Sequence, residues 1–287
     1  MSQMTNYMEN ALADFARGEA LTLPFGWHLA LASAASDASI TEITGIALAR
    51  QIVPRTLTDW SGTQGVGSVL ASTGASHVTS NNAIVDFGTS TGSATASHIV
   101  LYDATSGGNA WAYFELVTPL VIGNGDPVTF AAGSVAFTLG LAGGMSKYLA
   151  NKMIDKVFRG QTYTWPATQY LAAYTTSPTN ADTGTEFAGG SYARVSIASS
   201  LAAWSSTVSA GSVGLSTAGS GGRISNNAPA TYPAPTTAHG DMTHEGLRDA
   251  ATAGNLMFWG ALASPKTIAA GGSPPSHSAG SIGITFA

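Results

Sequence analysis

The sequence contains no cysteine, which removes disulfides and thiolate metal sites together. It is also poor in charge: 11 Lys and Arg stand against 16 Asp and Glu, 9 % of 287 residues, where soluble domains average about 25 %. The net charge of −5 supplies no basic footprint for nucleic acid. No apolar run approaches the roughly 20 residues of a membrane span, so no membrane partner is expected. The opening MSQMTNYMENALADF has neither the basic n-region nor the unbroken apolar h-region of a Sec signal, and synthesis in a cytoplasm is the expectation. A Walker-type G-x-x-x-x-G-K-S/T loop and an H-E-x-x-H helix are both missing, so two common catalytic frameworks are set aside.

What is present is small and neutral. Hydrophobic residues make up 44 %, enough for a substantial core, and 34 glycines accompany long runs of Ser, Thr, Ala and Asn. That composition suits a β-rich protein with many turns, or one packed into an assembly. The basic residues that gather at Lys147, Lys152, Lys156 and Arg159 read as one solvated helix face.

Sliding the chain over itself by about half its length reveals its organisation. Tyr7, Asn10 and Asp14 fall on Tyr148, Asn151 and Asp155. After one inserted residue, Arg17, Gly18, Thr22 and Pro24 fall on Arg159, Gly160, Thr164 and Pro166. Glu42, Arg50 and Trp60 match Glu186, Arg194 and Trp204. SNNA at 80–83 returns at 225–228, and His98, Asp103, Gly108 and Asn109 return as His244, Asp249, Gly254 and Asn255. Pro119 returns as Pro265, and GSVAFTL at 133–139 returns as GSIGITF at 280–286. Matches in unbroken order from end to end mean a tandem duplication, divided into domains 1–140 and 141–287 with a linker, GLAGG, at 140–144.

Both copies share one internal plan. Tyr7, Met8, Leu12 and Phe15, and then Leu149, Met153, Val157 and Phe158, recur at helical spacing. Thr5 and Ser146 can cap these helices, and Gly18 and Gly160 can stop them. Short β-prone runs follow, broken by Gly, Asn, Ser and Pro. In the first copy they are 27–32, 49–53, 83–86, 98–103, 110–117, 127–130 and 135–139. In the second they are 169–175, 193–197, 245–249, 256–262 and 282–286. The expected fold is mainly β: two homologous domains, each an N-terminal α-helix packed on a β-sandwich, with jelly-roll and Ig-like topologies both open.

Candidate chemistry is sparse. HGDMTHE gathers His239, Asp241, His244 and Glu245, a ligand set that could suit zinc. His244, however, repeats His98, whose surroundings hold no such cluster; a strand-start side chain bonded to a neighbouring turn is the plainer expectation, with neither metal nor cofactor. In NADTGTEF, Asp182 and Glu186 offer oxygens of the kind calcium takes, but without EF-hand spacing, so an ordinary loop is favoured. Glu42 with Arg50, and Glu186 with Arg194, repeat as pairs and read as architectural or interface contacts. Asp14 with Arg17 and Asp155 with Arg159 repeat likewise, and Tyr192 neighbours Arg194. Trp60, Trp111, Trp204 and Trp259 could serve a sugar-binding surface if exposed, although repetition assigns Trp60 and Trp204 to the core.

The second copy also carries a signature: YLANKMIDKVFRG, TYTWPATQYLAAYTTSPTNADTGTEF, GGSYARVSI, THEGLRDAATAGNLMFWGAL and the closing GSIGITF. It resembles a family of small tailed-phage virion proteins, usually labelled tail fibre proteins. Their pattern runs L-x-N-K-L-L-D-x-x-x-x-G, then Y-x-A-L-(F/Y)-T-x-x-P-T, G-T-E-x-x-G-G-x-Y-A-R and D-A-x-x-G-G-N. The resemblance is strong over 147–197 and 243–262 and weaker in the first copy, where ASAASDASITEITGIALARQIV lacks the T-x-x-P-T and Tyr-Ala-Arg elements. It implies a non-enzymatic structural component on the exterior of a phage virion, made in the bacterial cytoplasm. The implied partners are other virion proteins (the major capsid protein, or tail and baseplate proteins) and further copies of the chain. Two placements follow: a capsid decoration or cement protein, including a head-fibre base, or a tail-tip, baseplate or tail-fibre adaptor that engages a receptor or host surface glycan.

Overall fold

A computed structural model describes residues 4–139, 144–217 and 222–286. The expected linker lies outside these residues apart from Gly144. Helix α1 (Asn6–Ala16) and helix α2 (Lys147–Arg159) begin where the sequence placed their caps. The Thr5 hydroxyl accepts from the Met8 amide at 3.4 Å and the Ser146 hydroxyl from the Leu149 amide at 3.1 Å, each satisfying a donor that the first helical turn leaves open. At the other end Gly18 and Gly160 take φ of +89° and +68°. After α1 the Glu19 amide reaches Asp14 O and the Gly18 amide reaches Phe15 O, the paired bonds of a Schellman stop.

The strands of the first repeat are β1 (Gly26–Ser36), β2 (Ser39–Glu42), β3 (Gln51–Pro54), β4 (Val78–Ser80), β5 (Val85–Thr89), β6 (Ala94–Tyr102), β7 (Ala110–Ile122), β8 (Pro127–Phe130) and β9 (Ala136–Thr138). Those of the second are β10 (Thr168–Tyr174), β11 (Val195–Ala198), β12 (Arg223–Ser225), β13 (Ala230–Thr231), β14 (Gly240–Arg248), β15 (Leu256–Ile268), β16 (Ser276–His277) and β17 (Gly283–Thr285). The main sheets run β2-β1-β6-β7, with β3 also on β1, and β11-β10-β14-β15. Each is accompanied by two small ladders, β4-β9 and β5-β8 in one repeat, β12-β17 and β13-β16 in the other. All the pairings are antiparallel. Even the irregularities repeat: the β6-β7 register shifts at Ala96/His98 and Leu101/Tyr102, and β14-β15 shifts at Met242/His244 and Leu247/Arg248. The fold is mainly β, in two repeated halves that each open with a helix.

The compact units are not contiguous in sequence. One contains Met1–Glu9, Thr22–Leu139 and Asn151–Tyr163; the other contains Asn10–Leu21, Gly140–Ala150 and Thr164–Ala287. The main sheet of each repeat is therefore completed by the last turns of the other repeat's helix. In the first unit Phe158 of α2 meets Trp27, Trp60 and Phe137 at ring-centroid distances of 6.1, 5.1 and 4.8 Å. In the second, Phe15 of α1 packs edge-on against Trp165 at 5.5 Å. Both helices are buried on most sides, with Met8, Leu12, Phe15, Leu149, Met153, Ile154 and Phe158 almost wholly covered. That coverage explains how short helices persist here, since isolated ones of about this length are marginal in water.

Candidate functional site

Each helix ends in a buried arginine paired with an aspartate. Arg159 Nη1 lies 2.6 Å from Asp155 Oδ1, while its Nε donates to Trp60 O at 3.0 Å and its Nη2 to Ser68 O at 3.2 Å. Asp155 accepts in turn from the Ser72 amide at 2.8 Å. Arg17 repeats the arrangement with Asp14 at 2.7 Å, Trp204 O at 3.1 Å and Gly214 O at 2.9 Å, and Asp14 accepts from the Ser216 amide at 2.8 Å. The spacing is i,i+4 in α2 and i,i+3 in α1, which is where the inserted residue falls. Arg159 has no exposure. The solvated basic face expected from the sequence thus loses that member: Lys152 is exposed, whereas Arg159 is turned inward toward backbone carbonyls.

The second pair of networks ties loops to the main sheets. Arg50 forms a fork with Glu42 at 2.9 and 2.7 Å, and its Nη1 donates to Ala104 O and Gly107 O in the β6-β7 turn. Arg194 repeats this with Glu186, both contacts at 2.7 Å, and with Ala250 O and Ala253 O. The planar guanidinium matches a carboxylate two bonds at a time. Arg50 also lies 3.5 Å over the Tyr102 ring. Tyr192, opposite Leu48 in the repeat, donates its hydroxyl to Glu186 and accepts from the Ala173 amide, both at 3.0 Å; burial pushes its phenol up. Inside the same turns Asp103 and Asp249 each hold an asparagine, Asn109 and Asn255. Burial pushes Asp103 up, but hydrogen bonds from Asn109 and Trp111 outweigh it and hold the carboxyl below its usual range.

The four residues of HGDMTHE do not converge. His239 stacks on Phe187 at 4.9 Å, Asp241 accepts from Thr267 at 2.5 Å, and His244 Nδ1 lies 2.8 Å from the Thr243 hydroxyl. Glu245 instead meets His277 Nε2 at 2.7 Å and the Tyr232 hydroxyl at 2.9 Å. Among the described residues no group of three or more His, Asp or Glu could hold a metal ion. His244 and His98 are not at strand starts. They sit inside β14 and β6 beside the register shifts, each bonded to the hydroxyl of the preceding residue, because a bulge leaves local polar partners in reach. Asp182 pairs with Arg248 through two contacts of 2.8 Å, so the carboxylates of the NADTGTEF loop go to separate arginines. Trp111 is buried with its Nε1 on Asp103 at 3.2 Å, which takes it out of reach of a sugar. The letters GTSTG at 88–92 fit a nucleophile-elbow pattern. Ser90, however, is 2 % exposed between two strands and donates to Gly92 O.

A family model described as podophage GP4 fiber I protein gp80 matches the chain twice, over residues 3–138 and 144–285. The chain belongs to this fibre protein family. A search of curated proteins returned no match. Two successive matches make the fibre protein a tandem duplication, with each repeat matched over nearly its whole length. A fibre protein is a structural component of a phage virion, and such a role involves contact with other virion proteins. Structural family membership is in keeping with a non-enzymatic protein. No helix of the described residues is long and apolar enough to cross a membrane.

Proposed function

We propose that this fibre protein works on the exterior of the virion as the base of a head fibre or as a capsid decoration protein, docking on other virion proteins through both repeats. The family match over both halves supports the structural virion role; the observation that carries the decoration reading is a pair of matching exposed faces. They lie on the equivalent loops 62–72 and 206–216, which bind the helix ends from within and present aliphatic residues outward. Val66, Val69 and Leu70 are exposed in the first, and Val208, Val213 and Leu215 in the second. Scattered exposed aliphatics are ordinary; a set repeated at equivalent loops offers two similar docking faces on one chain. Two linked contacts raise the effective concentration of the second once the first has formed. The Asp155–Arg159 pair bonds to Ser68 O and the Ser72 amide, and the Asp14–Arg17 pair to Gly214 O and the Ser216 amide, which keeps these faces preorganised.

A tail-tip, baseplate or tail-fibre adaptor is the second reading, favoured by the fibre description of the matching family. Electron microscopy of particles carrying a gold-labelled tag at the C-terminus separates the two. Label over the head surface upholds the first reading, and label at the tail upholds the second. Particles without label, from cells that make the tagged protein, overturn both.

A further inference from the structure

The two repeats differ in chemistry at one equivalent place beside the main sheet. In the first, Ile99 of β6 faces Phe114 of β7 across the ladder, and Phe130 of β8 lies 5.8 Å edge-on from Phe87 of β5. Ile99, Phe114 and Phe87 are buried and make an apolar filling. The corresponding residues of the second repeat are Glu245, Gly260, His277 and Tyr232. The ladders confirm the correspondence: Glu245 faces Gly260, and His277 faces Ala230 as Phe130 faces Val85. An isoleucine has become a carboxylate, one phenylalanine has disappeared, and two more have become imidazole and phenol.

A solvent-open pocket of about 430 Å³ lies at this place in the second repeat, within the size range of small-molecule sites. Leu171, Leu247 and Phe258 supply apolar wall, Ser281 a hydroxyl, and Glu245 and His277 the polar centre. Glu245 Oε1 accepts from Tyr232 and meets His277, while Oε2 takes no hydrogen bond from the described residues. A carboxylate has about four acceptor positions, so capacity remains for a ligand. Tyr232 is buried, and burial followed by the Glu245 charge pushes its phenol well up, which keeps it a donor. Gly260 is not required by its backbone: its φ lies outside the left-handed region, and a Cβ there would meet nothing within 4 Å. The open space is not imposed by local conformation.

We infer that this pocket is a binding site for a neutral pyranose unit. A sugar ring offers adjacent hydroxyls to the Glu245 carboxylate, the His277 imidazole and the Ser281 hydroxyl. Its C–H face suits the apolar wall around Phe258. Such mixed polar and apolar lining characterises sites that fix the orientation of small ligands. The site lies wholly within the second unit, so it stands whether the protein decorates a head or a tail.

The test is saturation-transfer NMR on the purified full chain with the methyl pyranosides of glucose, galactose, mannose and rhamnose. A second arm uses purified lipopolysaccharide, which tells a surface glycan from a free sugar as the source. At least one glycoside is expected to bind wild type. Gly260→Phe, which restores the aromatic of the first repeat, and Glu245→Gln should each weaken it at least tenfold. Thermal melts check that the variants fold; should Gly260→Phe fail to fold, Glu245→Gln decides alone. Absence of binding by every glycoside, or unchanged binding in the folded variants, overturns the inference.

Discussion

Arg159 has no exposure and donates to two backbone carbonyls as well as to Asp155. Removing the guanidinium would leave Asp155 and those carbonyls facing a void. Breaking a buried ion pair costs about 3–5 kcal/mol, so Arg159→Ala should lower stability by that amount in urea unfolding. His28 is a second telling residue: burial, then the neighbouring Arg50 charge, lowers its pKa below the usual value, against a smaller opposing effect of Asp103. A base with a lowered folded pKa is neutral in the fold while the unfolded chain takes up a proton. Its contribution is therefore full above about pH 6.5, the unfolded value, and declines as pH falls below it. Unfolding of His28→Tyr, the residue found at the equivalent Tyr170, should lose that part of the acid sensitivity. At this scale the Glu–Arg forks were legible because charge is scarce and the pairs repeat. The Glu245–His277–Tyr232 group was not, since its members lie far apart in sequence. Its one trace was a carboxylate standing where the other repeat carries Ile99.

The helices and long strands were readable because caps, glycine stops and apolar runs all pointed the same way. Strands β2, β4, β12, β13 and β16 were missed. They are two to four residues long, too short to show an alternating pattern, and tertiary pairing defines them. The end of α2 invites the sharpest test of an element. A Cβ on Gly160 would lie 2.4 Å from Arg55 O, at a φ of +68°. Gly160→Ala should therefore cost more than about 1 kcal/mol, since alanine is strained at positive φ. Arg55 itself donates to Pro24 O, Lys156 O and Val157 O, placing a cation on the last carbonyls of the helix, where the dipole favours it. Burial lowers its pKa to about 10. Because Ser199 occupies the matching position in the second repeat, Arg55→Ala should destabilise the first unit selectively. Hydrogen exchange would then quicken in β1, β6 and β7 but not in β10, β14 and β15.

For the whole molecule, duplication was evident from the sequence, and the reciprocal use of the helix ends was not. A repeat shows which residues correspond; it does not show whose sheet each helix tail completes. In the fold, Asn151–Tyr163 belongs to the unit built on the first sheet, and Asn10–Leu21 to the unit built on the second. The most direct measurement is to produce residues 1–139 and 144–287 as separate chains and follow them by sedimentation and near-UV circular dichroism. Mixed in equal amounts, they should form a 1:1 complex with the aromatic spectrum of the intact chain, while neither alone is a natively packed monomer. Two halves that each fold as monomers with their share of the native spectrum, and do not associate on mixing, would contradict the account.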